Sequence, residues 1–544
     1  MTDTFSGPKA LSVRWIPIVI FLGAFLTIAF TNADYGVSWD EPAYFYASDL
    51  HIQWLADFGK NLLHGRVGQS LRDDVIKSAW YWDPYHVPHP PFSRIISGTT
   101  KAIFSPLLDK FVSYRFGPAI FFSLLVTVMY LWITEIFGRL VGLFSALSLT
   151  LIPNLFGFAH IAVADMPLTT MWFLTVFCFW KGLQSWKWSL ALGVVWGLAL
   201  ATKFPAVLIP IPLLLWAHLY QRRSYANNFI CMIFVAPIVM IATQPYLWHQ
   251  TPLRILEFFY QGLSRGYRPD ANFPIFFLNR LYFTNELPWY YTFFLTAVTT
   301  PETILGLCLI GILALVRVRP ERKVVMLLLF NLLFILILGV LPGAVLHDGM
   351  RQLLSGLPFI AALSAVGFFI LMKGLTEWAQ QKTSFHAIKN VRSKLVGALL
   401  ALFLFPPAVD LTLHHPFELS YYNRFVGGIR GAYERGLETT YFMEALTPEF
   451  LKFLNRELPP NAVLNGLFSN FMLEYYQNEG KLRRDIKITD DGNFDYAIVL
   501  NRRSILSAAA RDQLAFVKES ATPSASVSLA GVPLVVVYKM KQPN

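Results

Sequence analysis

The stretch WIPIVIFLGAFLTIAFTNADYGVSWDEPAY, residues 15–44, decides the fold class. It opens with an apolar run long enough to cross a hydrocarbon core of about 30 Å, for which roughly 20 residues are needed. Two adjacent carboxylates, Asp40 and Glu41, follow directly on this run. Solvated loop charge would explain them, but ionised groups beside a span are expensive unless they are paired or used. The stretch therefore predicts a membrane span with a functional site at its end.

The composition of the whole chain is that of an integral membrane protein. Of its 544 residues, 55% are hydrophobic and only 15% are charged, and the mean hydropathy is +0.47. Apolar runs recur as far as Asp410, and their number predicts about eleven spans. The predicted spans cover residues 12–32, 112–137, 141–159, 165–182, 186–202, 204–221, 227–246, 290–316, 323–341, 353–373 and 394–410.

The basic residues are distributed between the predicted spans, and this distribution predicts the orientation. Most of them fall on alternate loops, beginning with Lys9 and Arg14 before the first span and ending with Lys394 before the last. The positive-inside rule makes that face, with the amino terminus, cytoplasmic and places the opposite loops outside. Because the net charge of +11 forms no single patch, it argues against a nucleic-acid partner. The compact loops favour a prokaryotic cell membrane.

The hydropathy pattern divides the chain at residue 410. Residues 1–410 form the predicted transmembrane module, and its first outer loop, 33–110, contains patterns of amphipathic helices that lie in the interface. Residues 411–544 alternate a helical pattern, PEFLKFLNREL, with strand patterns such as FDYAIVLN and VPLVVVYKM. The sequence therefore predicts an α-helical polytopic membrane protein with a small C-terminal α/β extracytoplasmic domain.

A proline-rich segment of the first outer loop, DPYHVPHPPF at residues 83–92, carries three potential metal ligands. These are Asp83, His86 and His89, but the prolines between them prevent the helix that would align them on one face. The alternative is that His89 offers a hydrogen bond or a positive charge to an anion. A divalent metal is thus an open question, and no other cofactor is indicated.

Three more ionisable residues lie at the outer ends of predicted spans. Asp165 opens the span at 165–182, where helix capping would explain it as well as a role shared with Asp40. Lys203 and Arg351 would each be explained by snorkelling to the interface. Together, with His347 nearby, the two cations would instead form a pocket of the size of a phosphate facing the outer carboxylates.

The order of these short motifs resembles that of the polytopic GT-C glycosyltransferases, in particular the dolichyl-phosphate-mannose protein mannosyltransferases and the aminoarabinose transferases. WDEPAY resembles the acidic pair of the first outer loop in that family, and HPPF resembles its HPPL or KPPL element. Each motif alone is weak, whereas the colinear set covers most of the membrane part. The later motifs are ADMPL (164–168), ATKFPAVLIP (201–210), ELPWYYTFFLTAVTTPETIL (286–305), RQLLSGLPF (351–359) and HPFELSYYNRFVGG (415–428).

The resemblance implies that a sugar moves from a polyprenyl- or dolichyl-phosphate donor to a protein, lipid or glycan acceptor on the outer face, with inversion. It makes Asp40 the candidate base that accepts the proton of the acceptor hydroxyl. The resemblance also implies that Glu41 and Asp165 orient the substrates. Binding of the donor phosphate falls to Lys203, Arg351 and His89. Further substrate contacts are expected from Tyr44, His347, Tyr422 and Asn423.

A transporter or flippase of lipid-linked sugars is the alternative function. It also needs many spans and outer charges, but it is expected to carry ionisable residues near the middle of the membrane. The predicted spans are almost free of charge, with Glu135 near the inner end of one and Glu302 in or near another. The sequence therefore favours transfer over transport.

Overall fold

The chain folds into a bundle of apolar helices followed by a small sheet. The computed structural model describes residues 15–81, 89–220, 225–313, 321–382, 385–508 and 510–541. In these ranges five helices are long and apolar enough to span a membrane, and four shorter apolar segments accompany them. The architecture supports an integral, multi-pass membrane protein, while the number of spans stays a prediction. The five long helices lie at Ile16–Asp34, Lys110–Phe137, Ala226–Thr243, Gly349–Trp378 and Lys394–His414.

The α-helices alternate with short turns over almost the whole chain. Their bounds are Ile16–Thr31, Glu41–Leu63, Val67–Ser70, Asp73–Trp80, Phe92–Phe104, Lys110–Phe137, Arg139–Thr150, Pro153–Phe158, Asp165–Gly182, Trp186–Leu200, Pro210–Tyr220, Ala226–Thr243, Thr251–Ser264, Tyr291–Thr299, Glu302–Leu313, Arg322–Leu338, Leu357–Lys382, Phe385–His414, Gly428–Glu434, Pro448–Glu457, Asn470–Asn478, Arg503–Ala508 and Arg511–Ser520. The helix predicted in the first outer loop is present as Glu41–Leu63, and its position in the interface stays a prediction.

Two predicted spans are each divided into two α-helices in the structure. The span at 290–316 consists of helices Tyr291–Thr299 and Glu302–Leu313, separated at Thr300 and Pro301. Proline has no backbone N–H and so cannot continue a helical ladder. The span at 141–159 ends at Thr150 and resumes as Pro153–Phe158 for the same reason.

Close helix packing builds the core of the bundle. Phe144 and Phe368 stack with their ring centroids 4.1 Å apart. Gly311 and Gly367 lie where helices Glu302–Leu313 and Leu357–Lys382 touch, and a Cβ at either position would clash with the backbone of the other helix. Small residues at such contacts let membrane helices approach closely and gain packing energy. The core is therefore rigid enough to hold charged groups at the helix ends in fixed positions.

The last part of the chain contains a five-stranded sheet. The strands are β1 Pro274–Phe277, β2 Arg280–Phe283, β3 Val463–Asn465, β4 Lys487–Ile488, β5 Tyr496–Leu500, β6 Ala521–Leu529 and β7 Val532–Met540. The strand patterns FDYAIVLN and VPLVVVYKM are present as β5 and β7, and the predicted helix is present as Pro448–Glu457. The sheet order is β4-β3-β5-β7-β6, in which β3 pairs in parallel with β4 and β5 and the other pairs are antiparallel.

Two features near this sheet differ from the sequence expectation. The last apolar helix continues to His414, four residues beyond the predicted end at Asp410, because the drop in hydropathy does not interrupt the helical backbone. The hairpin β1-β2 was not predicted, and it lies in the loop between the helices Thr251–Ser264 and Tyr291–Thr299. Its Asn279 N–H donates to the carbonyl of Gly436, so the hairpin contacts the segment that leads into the sheet.

Candidate active site

A buried charged cluster joins side chains from distant parts of the chain, and we call it the Arg351 cluster. Nη2 of Arg351 lies 2.5 Å from Oδ2 of Asp40, and its Nε lies 3.2 Å from Oδ2 of Asp165. Its Nη1 lies 3.1 Å from Oδ2 of Asp348. One guanidinium therefore holds three carboxylates. The members of the cluster are Asp40, Asp165, Lys203, His347, Asp348, Arg351 and Arg502.

The alternatives of helix capping and snorkelling do not describe Asp165 and Lys203. Asp165 is the first residue of helix Asp165–Gly182, and the N-cap position before it belongs to Ala164. Its Oδ1 instead accepts a hydrogen bond from Nζ of Lys203 at 2.7 Å. Lys203 is buried rather than extended toward water, and its Nζ also lies 3.4 Å from Oε1 of Gln352. Both residues belong to the cluster.

A tight turn brings His347, Asp348 and Arg351 together. Asp348 and Gly349 both have left-handed backbone, with φ of 57° and 61°. A Cβ on Gly349 would lie 2.9 Å from the ring of Tyr441, so only glycine fits this close approach. The 3-10 helix Gly349–Gly356 then points Arg351 back toward Asp348.

The groups in this turn have fixed charge states at neutral pH. Nδ1 of His347 lies 2.6 Å from Oδ2 of Asp348. Burial raises the pKa of Asp348, but the charges of Arg502 and Arg351 and the hydrogen bond from His347 oppose burial and hold that pKa well below its usual range. Burial lowers the pKa of His347 against the attraction of Asp348, so we assign a neutral ring that donates to an ionised carboxylate.

The cluster also receives an arginine from the C-terminal sheet. Arg502 follows strand β5 and is 4% exposed. Its Nη2 donates to Oδ1 of Asp348 at 2.7 Å, and its Nη1 donates to the carbonyl of Tyr441. Its guanidinium carbon lies 4.4 Å from the ring centroid of Trp39, the residue before Asp40. The far end of the chain therefore completes the cluster.

Glu41 is placed differently from the sequence expectation that it orients substrate. Its Oε1 and Oε2 each accept a hydrogen bond from Arg115 at 2.8 Å, and both partners are fully buried. The backbone N–H groups of Ser38 and Ala162 also donate to it. Among the described residues, none of its contacts is with the Arg351 cluster. The structure therefore gives Glu41 a saturated ion pair that fixes the start of the first outer loop.

His89 lies beside the cluster, next to Tyr44. The two rings are stacked with their centroids 6.2 Å apart, and the guanidinium of Arg94 lies 5.9 Å from the ring of Tyr44. Burial lowers the pKa of His89, and the nearby charges of Arg265, Arg94, Lys203 and Arg351 lower it further. The ring is therefore neutral at pH 7. It can still offer a hydrogen bond to an anion, as predicted, but it does not offer a positive charge.

The predicted metal ligands are only partly covered by the structure. Asp83 and His86 lie outside the described residues, and His89 is described. The ranges that the structure covers contain no group of three His, Cys, Asp or Glu side chains placed to hold a metal ion.

Two further predicted substrate contacts are occupied by the protein itself. Nδ2 of Asn423 donates to the carbonyls of Ala297 and Thr300, each at 2.7 Å, and thereby fills the break before Pro301. The hydroxyl of Tyr422 lies 2.6 Å from the hydroxyl of Tyr441 and donates to the carbonyl of Glu438. The side-chain amide of Asn423 thus contacts the protein backbone, and Tyr422 lines the same cavity as Asp348 and Arg502.

Asp40 is the carboxylate of the cluster that remains available. Its side chain is 17% exposed, against 2% for Asp165 and 0% for Asp348. Within the described part of the chain its Oδ1 accepts no hydrogen bond, whereas both oxygens of Asp165 and both of Asp348 are occupied. The arrangement can offer one basic oxygen beside two cations.

Sequence reasoning missed three of the charged residues described above. Arg115 lies inside a predicted span, where a lone arginine is itself a signal of a buried partner. Asp348 lies between His347 and Arg351, which sequence reasoning did identify, and this proximity is the signal that could have found it. Arg502 belongs to the C-terminal sheet, and no sequence feature distinguishes it from other arginines there.

Comparisons with known proteins found a family match and similar solved structures. The sequence model of the dolichyl-phosphate-mannose-protein mannosyltransferase family matches residues 88–249. The crystal structure of ArnT from Cupriavidus metallidurans bound to undecaprenyl phosphate is 13% identical and has a TM-score of 0.50, with 97% of this chain and 98% of that chain covered. The oligosaccharyltransferase of Archaeoglobus fulgidus, tethered with an acceptor peptide, is 12% identical with a TM-score of 0.47, and 98% of this chain and 75% of that chain are covered.

A comparison with curated protein sequences found no match. The family match and the ArnT likeness confirm the predicted resemblance to the GT-C superfamily. The ArnT likeness shows the fold. Together these findings support a glycosyltransferase of the GT-C type.

Proposed function

We propose that this protein transfers a sugar from a polyprenyl- or dolichyl-phosphate donor to an acceptor on the outer face of a cell membrane, with Asp40 as the base. The observation that carries the proposal is the partly exposed side chain of Asp40, whose Oδ1 accepts no hydrogen bond from the described residues. The other carboxylates of the cluster use both oxygens to hold cations, so they cannot accept a proton without releasing them.

The cations of the cluster suit the phosphate of the donor. Three of the five guanidinium N–H groups of Arg351 contact carboxylates, and two of the three ammonium N–H groups of Lys203 contact Asp165 and Gln352. The remaining donors of both residues are free to bind anionic oxygens within the described site. The neutral ring of His89 would donate a hydrogen bond to the donor phosphate. His89 lies near the charges of four cations, which are Arg94, Lys203, Arg265 and Arg351.

The reaction is a displacement at the anomeric carbon of the donor sugar. The acceptor oxygen forms a bond to that carbon, its proton passes to Oδ1 of Asp40, and the bond between the carbon and the phosphate oxygen breaks. The electron pair of that bond stays with the polyprenyl phosphate, whose added charge Lys203 and Arg351 stabilise. Attack from the face opposite the phosphate inverts the configuration of the sugar.

The lipid part of the donor is proposed from the setting of the cluster. The Arg351 cluster lies at the ends of apolar helices. A polyprenyl chain could therefore remain in the bilayer while its phosphate reaches Lys203. Undecaprenyl phosphate is bound in the ArnT crystal structure that shares this fold. The distribution of basic residues predicts that this end of the helices faces the outside.

The test is an assay of the purified full chain with a set of radiolabelled polyprenyl-phosphate sugars and with membrane lipids, glycans and peptides as acceptors. The proposal expects free polyprenyl phosphate to appear with one donor class, and the product to have the inverted linkage. Asp40→Asn is the control that should release none. Movement of the intact labelled donor across vesicles without release of polyprenyl phosphate would instead establish transport and contradict the proposal.

A further inference from the structure

Arg502 is the member of the Arg351 cluster that comes from outside the helical bundle. It lies two residues beyond the end of strand β5, where its own backbone N–H donates to the carbonyl of Leu500. The next residue, Arg503, packs on the ring of Tyr433 at 3.7 Å and so fixes the backbone on that side. The position of the Arg502 side chain is therefore set by the C-terminal sheet.

The contacts of Arg502 divide Asp348 between two arginines. Oδ1 of Asp348 accepts from Arg502 at 2.7 Å, and Oδ2 accepts from Arg351 at 3.1 Å and from His347. Arg351 thus uses one N–H on Asp348 and keeps the others for Asp40, Asp165 and a ligand. Without Arg502 the charge of Asp348 would fall to Arg351 alone, and a buried carboxylate pulls strongly on the nearest guanidinium.

The charges of the cluster balance only when Arg502 is counted. Asp40, Asp165 and Asp348 carry three negative charges, and Lys203 and Arg351 carry two positive ones. Arg502 supplies the third. Loss of Arg502 would remove the positive charge beside Oδ1 of Asp348, so Arg351 would have to balance more of the carboxylate charge in a site of low dielectric.

Arg502 also touches the element that carries Asp40. Its guanidinium packs on the ring of Trp39. The backbone N–H of Trp39 donates to the carbonyl of Phe442. The ring of Phe442 in turn lies 4.6 Å from the guanidinium carbon of Arg351. The segment around Phe442 therefore lies between the two arginines. A displacement of Arg502 would reach both Asp40 and Arg351.

We propose that Arg502 is a positioning residue for the transfer reaction: it holds Asp348 and Trp39, and through them it sets Arg351 and Asp40 in place. The C-terminal sheet then completes the active site rather than only covering it. This inference rests on the proposed function, because its effect is read in the rate of transfer.

The experiment compares Arg502→Gln and Arg502→Lys with the wild-type full chain in detergent or nanodiscs, using the donor class found in the transfer assay. Arg511→Gln is the matched control, since Arg511 is exposed in the same domain. We expect Arg502→Gln to lower kcat by about 10- to 100-fold, somewhat below the loss of a direct electrostatic contact. Arg502→Lys should recover part of this loss, and Arg511→Gln should match the wild type.

A double-mutant cycle with Asp348→Asn separates positioning from a general structural role. If Arg502 acts by holding Asp348, Arg502→Gln should lower kcat by less than about threefold in the Asp348→Asn background. Multiplicative losses, or an Arg502→Gln enzyme with wild-type kcat, would overturn the inference. So would a loss of kcat that matches the loss of folded protein measured by thermal unfolding. Absence of transfer by the wild type would contradict the proposed function and this inference with it.

Discussion

Two adjacent carboxylates, Asp40 and Glu41, occupy opposite kinds of site. Glu41 is fully buried, and Arg115 together with two backbone N–H groups satisfies both of its oxygens. Asp40 is partly exposed and contacts Arg351 through one oxygen. Both residues lie in one turn at the start of the helix Glu41–Leu63. Their different environments follow from the different directions of their side chains.

The difference indicates that an ion pair with all its polar atoms satisfied stabilises the fold, whereas a pair with unsatisfied atoms can also bind a ligand. A buried pair that satisfies all its atoms holds structure, and it has no free atom to offer a ligand. Counting contacts with the described residues, the Arg351 cluster keeps unused donors on Lys203 and Arg351 and an unused acceptor on Asp40. We therefore expect changes in the Glu41 pair to affect folding, and changes in the cluster to affect transfer.

The largest effect on stability should come from breaking the Glu41 pair. Glu41→Gln leaves the buried charge of Arg115 without a carboxylate, and loss of one partner from such a pair typically destabilises a protein by about 3–5 kcal/mol. Thermal unfolding in detergent measures the change. The control is Asp74→Asn in the same loop, whose pair with Arg72 is exposed and should leave the unfolding temperature close to that of the wild type. A Glu41→Gln protein as stable as the wild type but inactive would return Glu41 to the catalytic group.

Removal of the Lys203 charge should reduce transfer, while Asp165 keeps its ion pair with Arg351. Lys203→Met removes one electrostatic contact to the leaving phosphate, which typically lowers the rate by about 100- to 1,000-fold. Initial rates over a range of donor concentrations measure kcat/KM. Lys203→Arg keeps the charge and should lose less. Equal kcat/KM for wild type and Lys203→Met would remove Lys203 from the phosphate site.

A smaller effect is expected from the turn that positions Asp348 and Arg351. Gly349→Ala puts a methyl group 2.9 Å from the ring of Tyr441 at a φ of 61°, and left-handed backbone alone disfavours a side chain by about 1–2 kcal/mol. The transfer rate should fall about tenfold as the turn shifts. The matched control is Gly306→Ala, where a Cβ meets nothing within 4 Å. Equal rates for the two variants would show that the turn tolerates displacement.

The smallest effect concerns a pH-dependent contact outside the cluster. Burial opposes the charge of His415, but hydrogen bonds with Glu418 and Asp34 raise its pKa to about 9. A raised pKa means that the charged ring stabilises the fold fully below its ordinary pKa of about 6.5 and loses this contribution as the pH rises through about 9. Unfolding temperatures between pH 6 and 10 should fall more for the wild type than for His415→Gln. Parallel curves would refute the contact.

Much of the cluster could be predicted from sequence because its members lie at the same ends of the spans. Asp40 and Arg351 are 311 residues apart and still form an ion pair, as their placement on one predicted face implies. Alternation of loops between two membrane faces is a strong constraint, since only helices satisfy their backbone groups in lipid. The membrane character and the helical fold follow from the same constraint.

The individual partners could not be predicted, because they depend on side-chain packing over long distances. Nothing in the order of Asp40 and Glu41 says which of them faces Arg115. The break at Pro301 is visible in sequence, but its repair by Asn423, more than a hundred residues later, is not. Arg502 reaches the cluster because the segment that follows strand β5 lies against strand β1 of the hairpin.

The most direct test measures two quantities for the adjacent pair: the single-turnover transfer rate and the unfolding temperature of Asp40→Asn and Glu41→Gln. The account predicts that Asp40→Asn loses about 100- to 10,000-fold in rate, as expected for a general base, and unfolds close to the wild type. Glu41→Gln should show the reverse, with a lowered unfolding temperature and a largely retained rate per folded molecule. A near-normal rate for Asp40→Asn would contradict the central claim.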